Sequence, residues 1–248
     1  MKKLLLIIAI AYGVLSAADF EIRNGQLDLR GWDMAVPGQI SLDGEWLFTE
    51  GFSKDTKEFP SQRYSTIKVP FGWNRQENQK RRAMGTGTYY LRVLAPPSAN
   101  VLEMKIGAIA TAYEFYINGK LIQKTGEIGE SPEKMHPVWK PQFIRFDVKD
   151  DTLNFVIKVS NFHFRDGGIV ESLYLSGPNK IFIEYRKALL RTFFIMGALL
   201  IMALYHFALY AIRPSESSIL WFALLAITVS VRLLFSGDHH SYMIFEDI

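Results

Sequence analysis

The sequence predicts an all-β fold, a sandwich or jelly roll, followed by transmembrane α-helices. Residues 19–183 consist of short alternating apolar and polar stretches separated by turn-forming Gly, Pro, Asn and Asp. Two long apolar runs, 188–212 and 218–235, follow this region. Residues 1–18 have the order of a secretory signal. Together these observations predict an exported β domain tethered to a membrane.

The N-terminal segment has the three parts of a signal peptide. Two lysines follow Met1, an apolar run extends from Leu4 to Ile10, and small residues end at Ala18. We expect cleavage between Ala18 and Asp19. An uncleaved N-terminal anchor is the alternative, and it would export the following domain as well.

The β prediction rests on segments with a period of two residues. The clearest of these segments are 44–48, 66–69, 88–93, 101–106, 112–117 and 153–159. In one of them Tyr113, Phe115 and Ile117 share a face, whereas Glu114 and Tyr116 share the other.

A hairpin is predicted directly after this segment. Asn118-Gly119 separates it from the renewed apolar pattern at Leu121 and Ile122. A type I′ turn needs a positive φ at both central residues, which Asn and Gly tolerate best.

Each apolar run is predicted to span the membrane. Run 188–212 contains few strongly polar residues, and run 218–235 follows a short hinge that includes Pro214. Trp221 is a candidate interfacial anchor of the second run. A buried helical hairpin of a soluble protein is the alternative.

Three ionisable residues lie in the predicted spans. Arg191 and Arg232 can extend to the membrane surface from the span ends, and His206 can form a hydrogen bond between helices. All three are also candidates for relaying a signal.

The signal peptide places residues 19–183 outside, so the first span runs inward and the second returns outward. Residues 236–248 contain no Lys or Arg, as expected of an outer segment. In contrast, Arg186, Lys187 and Arg191 flank the first span on its predicted outer side. A large exported domain weakens the charge rule, and we therefore give the signal peptide more weight.

Composition excludes several classes of site. The absence of cysteine excludes disulfides and Cys-based zinc sites. The net charge of +3 is spread along the chain, which gives nucleic-acid binding little support. No nucleophile elbow, HExxH, P-loop or EF-hand pattern occurs, so we predict neither enzyme activity nor a cofactor. His136 and His163 lack an obvious third ligand, so we predict no metal site.

The segment 160–168 is the first candidate ligand site. Asn161, His163, Arg165 and Asp166 offer donors and acceptors beside two phenylalanines. The alternative is a turn whose Asn and Asp bond the local backbone and whose glycines permit a positive φ.

The segment 135–142 is the second candidate. His136 and Trp139 lie in it, and the Trp139 ring could stack on a sugar or cap the sandwich. Trp73 is a third candidate, although a core position fits it better. The charged run 76–82 predicts a solvated loop.

Four motifs resemble the N-terminal sugar-binding domain of family 2 glycoside hydrolases, a galactose-binding-like jelly roll. These motifs are SLDGEWLF at 41–48, VPFGWN at 69–74, GTYYLR at 87–92 and AYEFYING at 112–119. The resemblance covers roughly 41–176 and implies a carbohydrate ligand. It also implies that the loop containing Asn161 and Asp166 reaches that ligand. The catalytic carboxylates of that family lie in a separate barrel that these residues do not include.

The apolar part resembles a second family. The segments 197–210, 220–225 and 232–237 are similar to the first spans of bacterial seven-transmembrane receptors with diverse intracellular signalling modules (7TMR-DISM). This resemblance implies an inner-membrane location with the β domain in the periplasm or outside the cell. It also implies further helices and an output domain after residue 248, so we expect the chain to be a fragment or a truncated frame.

Three functions are compatible with these features. The first is a sensory input whose β domain binds a carbohydrate or another small ligand and signals to the helices. The second is a membrane-anchored protein-interaction module, with homodimerisation as one form. The third is the non-catalytic carbohydrate-binding part of a membrane-anchored glycoside hydrolase.

Overall fold

The computed structural model describes residues 20–36, 38–60, 64–76 and 81–234. The predicted signal peptide 1–18 and the predicted outer segment 236–248 lie outside these residues.

The described residues form thirteen strands and two long helices. In chain order the strands are β1 (Gln26–Asp28), β2 (Ile40–Ser41), β3 (Gly44–Glu50), β4 (Ser65–Val69), β5 (Gly85–Leu94), β6 (Val101–Ile106), β7 (Ile109–Ala110), β8 (Ala112–Ile117), β9 (Lys120–Thr125), β10 (Gln142–Asp147), β11 (Thr152–Asn161), β12 (Gly168–Ile169) and β13 (Tyr174–Ser176). The helices are α1 (Lys180–Ile212) and α2 (Ser217–Leu234).

Most strands belong to two sheets. The larger has the order β4-β3-β5-β11-β8-β9, with β1 pairing in parallel with β5, and the smaller has the order β10-β6-β13-β2. The pair β12-β7 forms a short separate ladder. The long antiparallel pairing of β5 with β11, from Gly85↔Asn161 to Thr152↔Leu94, forms the centre of the larger sheet.

The two sheets pack face to face around one apolar core. Leu91 and Val93 of the larger sheet and Met104 of the smaller sheet are fully buried in it. The rings of Phe146 and Phe155 meet across the sheets with centroids 6.1 Å apart. Alternate residues of each strand face this core, as the period of two requires. The predicted β-sandwich is therefore confirmed.

The predicted strand segments correspond closely to observed strands. All six lie within β3, β4, β5, β6, β8 and β11. The Asn118-Gly119 turn joins β8 to β9 with φ values of 48° and 83°, so the predicted hairpin is confirmed. Asn118 Oδ1 also accepts a hydrogen bond from the Asn154 backbone at 2.7 Å, which fixes the hairpin to β11.

Helix α1 starts ahead of the predicted span 188–212. It begins at Lys180, so the connection between sandwich and apolar run is already helical. Hydropathy alone did not indicate this start, because four charged residues (Lys180, Glu184, Arg186 and Lys187) interrupt the apolar residues of the first turns. Of the described helices, α1 is long and apolar enough by length and composition to cross a membrane, and α2 is a shorter apolar helix.

Helices α1 and α2 form an antiparallel pair with small residues at their contact. Ala203, Ala223, Ala226 and Ser230 are buried there. Small side chains let two helix backbones approach closely.

The outer surfaces of the pair are strongly apolar. The side chains that remain about two-thirds exposed or more include Leu190, Phe194, Ile201, Leu204, Ile212 and Trp221.

Candidate functional site

Several loops meet at the end of the larger sheet where β5 begins and β11 ends. We define the loop end as the turn Trp73–Arg75 together with segments 81–84, 135–141 and 161–167. The register Asn161↔Gly85 places the start of segment 161–167 beside the end of segment 81–84, although the two are far apart in sequence. Segment 161–167 also contacts the other two predicted sites, since the Trp73 backbone N–H donates to the Gly167 carbonyl at 2.8 Å and Trp139 packs against Phe164.

Asn161 organises the loop that follows it. Its side chain is fully buried, and Nδ2 donates to the carbonyls of Ala83 at 2.9 Å and Phe164 at 2.7 Å. Its Oδ1 accepts from the Phe164 backbone N–H at 3.0 Å. These bonds match the turn alternative, in which an Asn side chain satisfies local backbone groups. Asn161 thus shapes the loop from within.

Asp166 is fixed by the turn Trp73–Arg75. The Arg75 guanidinium donates to both carboxylate oxygens at 2.6 and 2.8 Å, while the Asp166 side chain is 13% exposed. Asn74 reinforces this contact, since its Nδ2 donates to the Arg165 carbonyl and its Oδ1 accepts from Gly167 N–H, each at 3.1 Å. The turn and the loop therefore form one connected unit.

Trp73 is a core residue, as its sequence context favoured. Its ring is 2% exposed and packs against Phe48 with centroids 5.9 Å apart. The indole N–H donates to the Arg82 carbonyl at 2.9 Å, which satisfies its polar group.

The other predicted residues are on the surface. His163 and Arg165 are exposed, and Trp139 packs edge-on against Phe164 with centroids 4.7 Å apart. This ring pair joins segments 135–141 and 161–167. His136 contacts Glu127 instead, with its Nδ1 3.1 Å from a carboxylate oxygen of that residue. Among the described residues no group of three or more His, Cys, Asp or Glu could hold a metal ion.

A cleft of about 420 Å³ lies next to this loop end. Its lining includes Phe48, Glu50, Trp73, Arg81, Arg82 and Met84. Sequence reasoning selected Trp73 from this set and missed the others. The apolar wall is Met84, which is largely exposed, and the polar groups are two guanidinium groups and one carboxylate.

Arg81 is the fixed polar group of the cleft. Its guanidinium lies 4.7 Å from the Phe48 ring centroid, while Nε pairs with Glu50 at 3.1 Å and Nη2 donates to Ser65 Oγ at 3.0 Å. The side chain is only 12% exposed, so the predicted solvated loop 76–82 is wrong for this residue. A run of charged residues has no period that shows which cation folds back onto the sheet.

Tyr89 is a buried residue next to the loop end. Burial raises the pKa of its hydroxyl well above the usual range, so the group stays neutral. That hydroxyl accepts a hydrogen bond from the Ile169 backbone N–H at 3.4 Å, beside Gly168.

The three ionisable residues of the predicted spans are not grouped. Arg191 is exposed on α1, and Arg232 lies in the last turn of α2. His206 lies nearer the turn that joins the helices, with Nδ1 2.8 Å from the Met202 carbonyl and its ring 4.6 Å from that of Phe222. The His206 ring therefore contacts the second helix.

No protein-family model matches the sequence, and no curated protein matches it. Solved structures similar to part of it include a GH2 β-galacturonidase from Eisenbergiella tayi bound to galacturonate. That pair has 13% identity and a TM-score of 0.41, covering 56% of this chain and 24% of the enzyme. A Faecalibacterium prausnitzii β-glucuronidase has 16% identity and a TM-score of 0.42, covering 57% of this chain and 31% of that one. A Bacteroides uniformis β-glucuronidase has 17% identity and a TM-score of 0.43, covering 56% and 17%. The chain thus spans less than a third of the length of these enzymes.

Proposed function

We propose that this chain is the ligand-binding input part of a membrane signalling receptor. The β-sandwich binds a carbohydrate or another small polar ligand in the cleft, and α1 passes the effect of binding to the membrane helices. The observation that supports this function best is the cleft itself, whose lining combines the fixed Arg81 guanidinium and two more exposed charged groups with an apolar wall.

The chemistry of the cleft suits a ligand rich in hydroxyl or carboxylate groups. Its volume of about 420 Å³ lies within the range of small-molecule sites. Arg81 lies over the Phe48 ring, is bonded to Glu50 and Ser65, and offers a donor whose position changes little. Glu50 is mostly exposed and can accept from hydroxyls, and Arg82 can donate to oxygens.

The junction with α1 gives the mechanical coupling that a receptor needs. Lys180 Nζ donates to the Met34 carbonyl at 2.6 Å, and Asn179 N–H donates to Glu103 Oε1 at 2.7 Å. Arg145 donates to Asn179 Oδ1 at 2.7 Å. These bonds fix the first turn of α1 to the sandwich. A ligand that binds two arrangements of the sandwich unequally would therefore bias the helix too.

Membrane placement of the helices is part of the proposal. Only 6% of the apolar window in α1 is buried, whereas a core helix of a soluble protein would be mostly buried. An apolar surface this extensive needs a lipid or protein covering. We therefore place α1 and α2 in the inner membrane, with the sandwich on the outer side.

Ligand titrations of the full chain in mild detergent test the sugar-binding part. Neutral sugars, amino sugars and sugar acids are added separately, and the unfolding temperature is followed by tryptophan fluorescence. We expect one class to raise that temperature saturably, because a ligand of the native state stabilises it. Glu50→Gln and Arg82→Gln should each weaken binding about tenfold, the value of one charge-assisted hydrogen bond.

The matched control is Arg165→Gln, which removes an exposed guanidinium from the neighbouring loop outside the cleft. If Arg165→Gln or His163→Ala weakens binding and the cleft variants do not, the ligand lies on segment 161–167 and the cleft assignment fails. If no ligand stabilises the chain and it dimerises instead, the result supports a protein-interaction module and contradicts the sensory function.

A further inference from the structure

A second groove lies where α1 leaves the sandwich. It has a volume of about 320 Å³ and is formed by α1 and the smaller sheet. We call it the basic groove, and the lining residues relevant here are Lys105, Phe143, Glu184, Tyr185, Lys187 and Arg191.

The basic groove has an excess of positive charge from two separate elements. Lys105 belongs to β6, whereas Lys187 and Arg191 belong to α1 and share a helix face with Glu184. Glu184 is the one acid in the lining, and its Oε1 accepts from Lys187 at 2.9 Å. Cations therefore outnumber acids three to one along its wall.

The length of the apolar run places this groove at the membrane surface. At 1.5 Å per residue the run 188–212 extends about 37 Å, which exceeds the roughly 30 Å hydrocarbon core. We place the surplus at the first turn of the run, because Arg191 lies in that turn and the opposite end, 207–212, contains no charged residue. That turn is then at the level of the lipid headgroups.

Aromatic rings beside the groove support the same depth. Phe143 and Tyr185 lie with ring centroids 4.6 Å apart, and Phe182 lies 6.3 Å from Phe143. Clusters of aromatic side chains at a helix end are typical of the interface between lipid and water.

A bound anion would also account for an anomaly in the charge pattern. Arg186, Lys187 and Arg191 lie in the first turns of α1, on the side of the predicted span that faces outside, where basic residues are normally sparse. Two of the three line the groove. Their position fits local recognition of an anion better than membrane topology.

We propose that the basic groove binds the phosphate headgroup of an anionic phospholipid. The proposal rests on the membrane placement proposed above, but it is independent of the sugar ligand. The headgroup would lie between sandwich and helix, so that the lipid fixes their relative position. Lys105 and Arg191 would contact the phosphate from opposite walls, and the acyl chains would lie along the exposed apolar face of α1.

The test uses the full chain in nanodiscs of phosphatidylcholine containing increasing amounts of phosphatidylglycerol. Bound lipid is counted by native mass spectrometry after release, and the unfolding temperature is measured in the same discs. We expect saturable retention of phosphatidylglycerol. Arg191→Gln and Lys105→Gln should each weaken it about fivefold, the contribution of one basic residue near an anionic surface.

Arg186→Gln is the matched control, since it removes an exposed charge from the same helix outside the groove. Lys105→Arg tests whether charge alone suffices, and it should retain binding. The unfolding temperature in pure phosphatidylcholine verifies that each variant is folded. If Arg186→Gln weakens phosphatidylglycerol binding as much as the groove variants do, the attraction is diffuse and the assignment to the groove fails. It also fails if Lys105→Gln leaves the affinity unaltered.

Three further outcomes separate this proposal from its premise. Soluble glycerol phosphate that stabilises the chain equally in phosphatidylcholine discs would show a free phosphate site and overturn the lipid assignment. A chain that stays soluble and does not enter discs would contradict the membrane placement itself. A chain that enters discs but shows no lipid preference would contradict the lipid site in the groove and leave the membrane placement unaffected.

Discussion

The guanidinium of Arg75 donates hydrogen bonds to both carboxylate oxygens of Asp166, with Nε–Oδ1 2.6 Å and Nη2–Oδ2 2.8 Å. The two residues are 91 positions apart, so this pair joins distant parts of the chain. Asp166 is largely buried while Arg75 is half exposed, and water therefore screens the pair only in part. The contact holds the loop 161–167 against the turn beneath the cleft.

Replacing Asp166 by Asn should lower the free energy of unfolding by about 1 kcal/mol, because a bidentate charged pair is lost at a partly solvated site. Urea unfolding of the full chain in mild detergent, followed by tryptophan fluorescence, measures the change. The control is Glu21→Gln, which breaks the more exposed pair with Arg23 and should have no measurable effect. Equal effects of the two substitutions would show that the Arg75–Asp166 pair has no special role.

Gly168 is predicted to be intolerant of any side chain. Its φ of +99° disfavours other residues, and a Cβ would overlap the Tyr89 hydroxyl and lie 3.0 Å from Trp73 Cε3. Gly168→Ala should cost about 3 kcal/mol through strain and overpacking. Adding Tyr89→Phe should restore part of the loss, since it removes the overlapping oxygen. Gly31→Ala, with no neighbouring atoms within 4 Å, is the control and should change stability by less than about 0.5 kcal/mol. A double variant no more stable than Gly168→Ala would locate the strain in the backbone alone.

Buried tyrosines should make the fold sensitive to alkali. Desolvation raises the pKa of Tyr90 from 10.0 to about 12, and burial raises the pKa of Tyr89 as well. In the unfolded chain these phenols ionise near pH 10, while the folded chain keeps their protons. The unfolded state therefore binds fewer protons between about pH 10 and 12, and stability falls as the pH rises through this window. The unfolding temperature against pH should be flat below about 10 and decline above it. Tyr90→Phe should make the decline shallower, and an unchanged slope would assign the alkaline loss to other groups.

The strands that the sequence predicts best are those with several alternating residues. β8 shows this most clearly, because Tyr113, Phe115 and Ile117 are buried while Glu114 and Tyr116 are not. β2, β7 and β12 have two residues each, too few to display a period, and only pairing with a neighbour defines them. Hydropathy likewise located the apolar part of α1 but not its first turns, in which charged and apolar residues are mixed.

The candidate site could be predicted only as a set of loops. Asn161 and Asp166 stand out in the sequence as polar residues of one short segment, but their partners, Ala83 and Arg75, are distant in sequence. The burial of Arg81 follows from Phe48 and Glu50 lying beneath it, which is a tertiary relationship. The composition of each segment therefore shows where polar groups accumulate. Which of these groups line a cleft depends on the tertiary contacts between segments.

The contact between α1 and α2 should depend on the size of Ala203. This residue is 1% exposed and faces α2, so a larger side chain must separate the two backbones. Ala203→Leu should destabilise the helix pair by about 2 kcal/mol. Ala211→Leu introduces the same side chain at an exposed position of the same helix and is the matched control. Titration with SDS in mixed micelles, followed by the helical circular dichroism signal, compares the two variants. We expect Ala203→Leu to shift the transition to lower SDS and Ala211→Leu to leave it unchanged. Equal transitions would mean that the close approach of the helices contributes nothing, and that each helix is held by its surroundings alone.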